Sequence, residues 1–213
     1  MFPVKHAEMA LRRAADWAGV PLSPVGVDRL LAYGDWLRDE AIPAGAVGPD
    51  EGPRIVDRHL ADSLVFAAAW KDHPPETVVD VGSGVGLPGI PLAITHPEMT
   101  VTLLDRSQRR SDLARRAAHI LGLTNVRTAW GDVHDHGKRY SGATFRAALS
   151  PEGAVSAART LLETGGIAVI GLHRGDQPPQ IVPDAEPGET LRVLKTPQGI
   201  LDSAAWHLRM TAT

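Results

Sequence analysis

The residues best suited to chemistry lie in Val78-Val79-Asp80-Val81-Gly82-Ser83-Gly84-Val85-Gly86-Leu87-Pro88-Gly89. An apolar strand ends there in a glycine-dense turn that opens a helix, an arrangement that lets a ligand approach bare backbone. Two spacings overlap in it. Gly84, Gly86 and Gly89 fit the dinucleotide pattern G-x-G-x-x-G. Gly82, Gly84 and Gly86 fit the tighter G-x-G-x-G that follows an acidic strand in S-adenosylmethionine (SAM) enzymes. A tight strand-to-helix turn without a ligand is the third reading. Asp80 adds a carboxylate between Val79 and Val81, which needs a partner such as the cationic amino-acid end of SAM.

Two more carboxylates stand where a nucleoside would need them. Asp105 closes the next strand, positioned either to accept both ribose hydroxyls or to cap the helix beginning near Arg106-Ser107. Asp132, in Trp130-Gly131-Asp132-Val133-His134, follows the third strand. It reads either as a contact to the adenine edge or as a turn residue. Asp132, His134, Asp135 and His136 form a D-x-H-D-H run in a polar loop with no second ligand cluster, so no metal is expected. His59 and Asp62 share a helix face at i, i+3 spacing.

The elements around these residues alternate. Residues 6–18, 24–40 and 54–71 carry helical periodicity, and the Gly/Pro-rich 41–53 reads as loop. Beyond residue 76, β-branched runs at 77–81, 101–105, 126–130, 145–149 and 167–172 alternate with helical patterns near 87–95, 107–122 and 152–163. That rhythm predicts βαβ units and a mostly parallel, doubly wound sheet, an α/β Rossmann-like fold. The division expected is a helical cap, 1–75, on a core domain, 76–213. Four prolines in 176–189 exclude a regular helix there, and runs at 191–195 and 205–210 predict an antiparallel hairpin at the sheet edge.

With 43% apolar and 22% charged residues the 213-residue chain is neither disordered nor membrane-spanning, and its start lacks a signal-peptide pattern, which predicts a cytoplasmic protein. It contains no cysteine, which removes thiolate nucleophiles and thiolate metal ligands. The net charge of −3 hides an uneven distribution. Residues 106–146 hold nine basic side chains against three acidic ones, net +6, and eight of the nine are arginine, the residue suited to phosphate.

Asp80–Ile94, DVGSGVGLPGIPLAI, resembles the signature of the bacterial 16S rRNA guanine-N7 methyltransferases, the glucose-inhibited division protein B family. Leu30, Leu31 and Tyr33, His59-Leu60-Ala61-Asp62-Ser63-Leu64, Leu103-Leu104-Asp105, Arg109-Arg110, Leu121–Val126, Arg146-Ala147 and Gly165-Gly166 continue the likeness over about residues 25–172. The resemblance implies a SAM-dependent methyltransferase fold and transfer of the methyl group to N7 of a guanine by in-line displacement, without a covalent enzyme intermediate. It implies cofactor contacts at Gly82, Leu87, Val133, His134 and Arg146, with Ser83 and Gly84 in the same loop and the ribose on Asp105. Arg146, His59 and Asp62 are then candidate substrate-side residues, with no general base needed. The partner implied is 16S rRNA or the small ribosomal subunit, with no membrane and a monomeric enzyme.

The departures fall on the substrate side. Trp36 is followed by Leu37-Arg38 where the family has Trp-Asn. Phe145 precedes Arg-Ala, His173 replaces a lysine, and 176–189 replaces a helix. A SAM-dependent methyltransferase of a small molecule or another RNA, a non-catalytic SAM- or RNA-binding module, and a nicotinamide-dependent oxidoreductase are the alternatives.

Overall fold

Small side chains shape the first helix of the computed structural model, which describes residues 4–180 and 182–212. In α1 (Val4–Ala18) the stripe Ala7, Ala10, Leu11, Ala14, Ala15 and Ala18 is buried. α2 (Pro24–Trp36) starts where Ser23 Oγ accepts the Gly26 N–H and Pro24 takes the first turn. The helical path expected to run to residue 40 continues as a wider π turn, Leu37–Ala41. The loop expected over 41–53 is partly helical, since Pro49–Arg54 forms a 3₁₀ segment. The third helix is likewise a composite: a π turn at Ile55–Leu60, the short α3 (Ala61–Leu64) and a 3₁₀ turn at Val65–Trp70.

Beyond this cap a seven-stranded sheet runs in the order β3-β2-β1-β4-β5-β7-β6. β1 (Thr77–Val81), β2 (Thr100–Asp105), β3 (Val126–Trp130), β4 (Tyr140–Phe145) and β5 (Leu162–Arg174) are parallel. β6 (Thr190–Thr196) and β7 (Ala205–Thr211) form the antiparallel hairpin, with β7 against β5 and β6 at the edge. The crossovers are α4 (Gly89–Thr95), α5 (Gln108–Ile120) and α6 (Pro151–Leu161). The 178–180 and 182–186 stretches of the proline-rich segment contain no helix.

One expected strand is corrected. The apolar run 145–149 is not a strand: β4 ends at Phe145, and Ala147 turns to φ +54°. The strand precedes it, at Tyr140-Ser-Gly-Ala-Thr-Phe, whose composition lacks the usual β-branched density. Its small residues answer a packing demand: a Cβ at Gly142 would stand 2.8 Å from Pro75 Cγ and 3.0 Å from Val78 Cγ2.

Two apolar layers hold the sheet. Cap residues such as Leu11, Leu30, Leu60 and Phe66 share one core with Val78, Ile90, Leu103 and Ala114, so the cap packs on the sheet through a continuous interior. The other face packs on α6 through Val79, Ala143, Val155, Leu161 and Ile170. The sheet's carboxyl edge is left open between β1 and β4, where the strand order reverses and ligands of such folds bind.

Candidate functional site

The turn after β1 owes its shape to contacts from three directions. Gly82 and Ser83 both donate backbone N–H groups to Leu104 O, at 2.8 and 3.1 Å. Gly82 takes φ +65°, and a Cβ there would lie 2.4 Å from Ala148 Cβ, so the turns after β1 and β4 meet at van der Waals distance. From the cap, the fully buried Tyr33 donates its hydroxyl to Val85 O at 2.9 Å. Burial holds that phenol well above its ordinary pKa, so it stays a donor.

Asp80 sits beneath this turn, fully buried, with two hydrogen-bond partners inside the protein. Its carboxylate accepts the Gly89 N–H at 2.8 Å and the Thr144 hydroxyl at 3.0 Å, tying the start of α4 to β1 and β4. Burial raises its pKa from 3.8 to about 7, against the lowering effect of both hydrogen bonds.

Asp105 is held by the turns on both sides of it, and the helix cap itself is Ser107. It accepts the Gly84 N–H at 2.9 Å, and so faces the glycine turn. It also accepts the Ser107 N–H at 2.7 Å. Arg110 completes its coordination through Nη2 at 2.9 Å.

A cleft of about 380 Å³ opens over the turns following β1 and β4, the end of β5 and the start of β7. Gly82, Ser83, Gly84, Leu87, Arg146, His59 and Asp62 all line it, so seven of the residues singled out in the sequence converge. Asp105 adjoins it through Gly84. Asp132, Val133 and His134 do not line it. They follow β3, one strand beyond Asp105, where Asp132 is exposed and accepts the His134 N–H at 2.9 Å. His136 in that run meets the Tyr140 hydroxyl at 2.7 Å, and among the described residues no three potential metal ligands converge.

The two i, i+3 cap residues both line the cleft and pin the cap. Asp62 Oδ2 accepts from Arg146 Nη1 at 3.4 Å and Oδ1 from Arg174 Nη1 at 3.1 Å, so one cap carboxylate joins the ends of β4 and β5. Arg146 Nη2 donates to His59 Nδ1 at 3.4 Å, which leaves Nε2–H to donate to Glu51 at 3.0 Å. Burial and then the Arg146 charge lower the His59 pKa, consistent with that neutral tautomer.

Sequence reading missed Arg174, Trp206 and His207. Arg174 also pairs with Asp202 and donates to Ser203 Oγ at 3.1 Å. His173, the residue in the lysine position, stacks on Trp206 with centroids 6.3 Å apart. His207, buried edge-on to Phe66 at 4.6 Å, has its pKa lowered to about 4 by desolvation and is uncharged at neutral pH. Their common signal was only the hairpin prediction, which gave no hint that β7 returns beside β5 at the cleft.

SAM fits these residues on two counts. Ser83 Oγ is buried in the cleft wall with no hydrogen-bond partner among the described residues. At Gly84, φ +58°, nothing lies within 4 Å of where a Cβ would stand, so the backbone there is open to a ligand.

Comparison with known proteins agrees. The sequence model of the family described as rRNA small subunit methyltransferase G (GidB) matches residues 27–180. The ribosomal RNA small subunit methyltransferase G of Kineococcus radiotolerans is 34% identical over 191 residues, covering 81% of this chain and 72% of that protein. The protein of the same name from Thermosynechococcus vestitus is 36% identical over 131 residues, which cover 58% of this chain and 57% of that protein. The chain thus spans little over half the length of that second relative. TrmN from Thermus thermophilus superposes with a TM-score of 0.54 at 21% identity, over 71% of this chain and 49% of that one, and shares the fold. With the family pattern matched across most of its length and laid out around a cleft at the strand-order reversal, the chain belongs to the rRNA small subunit methyltransferase G (GidB) family.

Proposed function

We propose that the chain transfers a methyl group from SAM to N7 of a guanine in 16S ribosomal RNA. The observation that carries this reading is the meeting of Gly82–Gly84 and Arg146 at the carboxyl ends of the adjacent strands β1 and β4, with Asp105 one strand away. SAM supplies an electrophilic methyl on a sulfonium. The turn from Gly82 to Gly84 offers backbone contacts and the Ser83 hydroxyl, Asp105 accepts from the ribose, and Arg146 supplies positive charge at the cleft. Asp132, Val133 and His134 hold the adenine end.

Guanine N7 carries a lone pair and no proton, so the acceptor needs no general base. The chain's contribution is position, worth about 7–11 kcal/mol when reacting atoms are held in line. The cleft suits that role, since both ring nitrogens of His59 are engaged by Arg146 and Glu51 and the chain has no cysteine to form a covalent adduct. His59, Asp62 and Arg146 form the substrate-side wall. Residues 1–75 act as a cap and 76–213 as the SAM-binding core. Among the described residues no helix is long and apolar enough to cross a membrane. We place the protein in the cytoplasm as a monomer acting on 16S rRNA or the small subunit.

The test is transfer of a labelled SAM methyl group to protein-free 16S rRNA, to intact small subunits, to transfer RNA and to free guanosine. Label in either ribosomal substrate alone supports the proposal, and label only in transfer RNA or guanosine refutes it.

A further inference from the structure

Trp130, the last residue of β3, is 64% exposed, more than any other large apolar side chain among the described residues that stand out on the surface. Neither the fold nor the cleft uses its ring. Its indole Nε1 donates to Arg106 O at 3.1 Å, so the one polar atom of the ring is tied to the turn after β2. That bond ties down the edge of the ring and leaves its faces to whatever approaches from solvent.

The surroundings select the visitor. Strand register sets Trp130 beside Asp105, at the carboxyl edge that carries the glycine turn. Arg106 is exposed, and its guanidinium has no hydrogen-bond or ion-pair partner among the described residues. Both belong to the 106–146 stretch, nine basic side chains against three acidic. An exposed indole bonded to the backbone of a residue whose own guanidinium is unpaired, in a cationic stretch, matches the chemistry of single-stranded nucleic acid, which offers a π-face and a phosphate at each step.

We infer that the Trp130–Arg106 surface docks an unpaired segment of the RNA substrate, with one base stacked on the indole and the neighbouring phosphate on Arg106. This deepens the rRNA reading and rests on it. The indole contributes sequence-tolerant stacking and Arg106 contributes a salt-dependent contact, so together they hold the RNA next to the cofactor cleft without selecting the guanine.

The two contributions separate experimentally. Affinity for protein-free 16S rRNA is measured across a range of salt concentrations for the full chain and for Trp130→Ala, Trp130→Phe and Arg106→Ala, with SAM affinity measured in parallel. Trp130→Ala is expected to weaken RNA binding about tenfold with the salt slope and SAM affinity unchanged. Trp130→Phe restores most of the loss. Arg106→Ala is expected to reduce the salt slope by about one phosphate contact. RNA binding by Trp130→Ala equal to that of the unaltered chain overturns the inference. So does a loss of SAM affinity in its place, which would assign the indole to the adenine. Methyl transfer by the unaltered chain is the control: if it binds but does not methylate 16S rRNA, the rRNA reading fails while the binding comparison still decides the role of Trp130.

Discussion

Arg110 grips Asp105 from outside, with Nη2 2.9 Å from Oδ1 and Nε 3.2 Å from both carboxylate oxygens. The carboxylate is 1% exposed and the arginine 43%. Two backbone N–H groups, from Gly84 and Ser107, fill the remaining positions. A ribose that takes Asp105 therefore competes with Arg110 and leaves the backbone contacts in place. Asp105→Ala should weaken SAM binding at least about tenfold, the loss of hydrogen bonds to a charged group. Arg110→Ala should tighten it several-fold (about two- to fivefold), since removing a competitor relieves the ligand of displacing it. Calorimetry reads both, and weaker SAM binding in Arg110→Ala would show that the guanidinium helps to hold the ligand.

Two glycines of the same motif should respond differently to alanine. At Gly89 a Cβ would stand 2.4 Å from Leu103 Cδ2 and 2.8 Å from Asp80 Oδ2, a clash in a buried layer. Gly89→Ala should cost about 1–3 kcal/mol of stability by overpacking. Gly84→Ala meets no protein atom within 4 Å and carries only the left-handed backbone cost of roughly 1–2 kcal/mol. Its methyl group instead enters the space proposed for the cofactor, so SAM affinity should fall more than for other changes of similar stability. Denaturant unfolding beside SAM titration separates the two, and undiminished SAM affinity in Gly84→Ala would remove that turn from the binding site.

Asp80 makes stability depend on pH. Its pKa is raised from 3.8 to about 7, mainly by burial, so between those values the folded chain holds a proton that the unfolded chain releases. The stability tied to that proton is fully present below pH 3.8 and is lost as the pH rises through about 7. Asp80→Asn, which can still accept from Gly89 and meet Thr144, should flatten this part of the profile. Unfolding free energies across the window check it, and an unchanged slope in Asp80→Asn would place the proton elsewhere.

The site was legible where chemistry and local pattern coincide. β1 and β3 lie at 77–81 and 126–130 as the β-branched runs indicate, and the glycine turn opens α4 as its spacing requires. Sequence reading failed at β4 because a central strand under Pro75 and Val78 needs Gly142 more than it needs β propensity. It read Arg146 as part of a strand, when that residue starts the turn in which Ala147 takes positive φ. Arg174 and Trp206 stayed hidden because their role depends on β7 pairing with β5, a long-range contact no local window contains. The partners of Asp80 inside the protein, a backbone N–H nine residues on and a hydroxyl 64 residues on, were not visible in its local sequence.

Asp62 holds two strand ends to the cap through Arg146 and Arg174, with its side chain 11% exposed. Asp62→Ala strips both arginines of this partner and should cost about 1–3 kcal/mol of stability. It should also loosen Arg146 and so weaken SAM binding. Paired unfolding and SAM-binding measurements test this, and unchanged values in both would reduce the network to surface ion pairs.

The acceptor atom can be identified directly. Small-subunit rRNA treated with the chain and SAM is reduced with borohydride and cleaved with aniline, chemistry that breaks the strand at N7-methylguanosine, and the products are mapped by primer extension. A SAM-dependent break at a guanine of 16S rRNA is expected, from protein-free RNA or from the small subunit. No break in either substrate, from a chain that binds SAM, would contradict it.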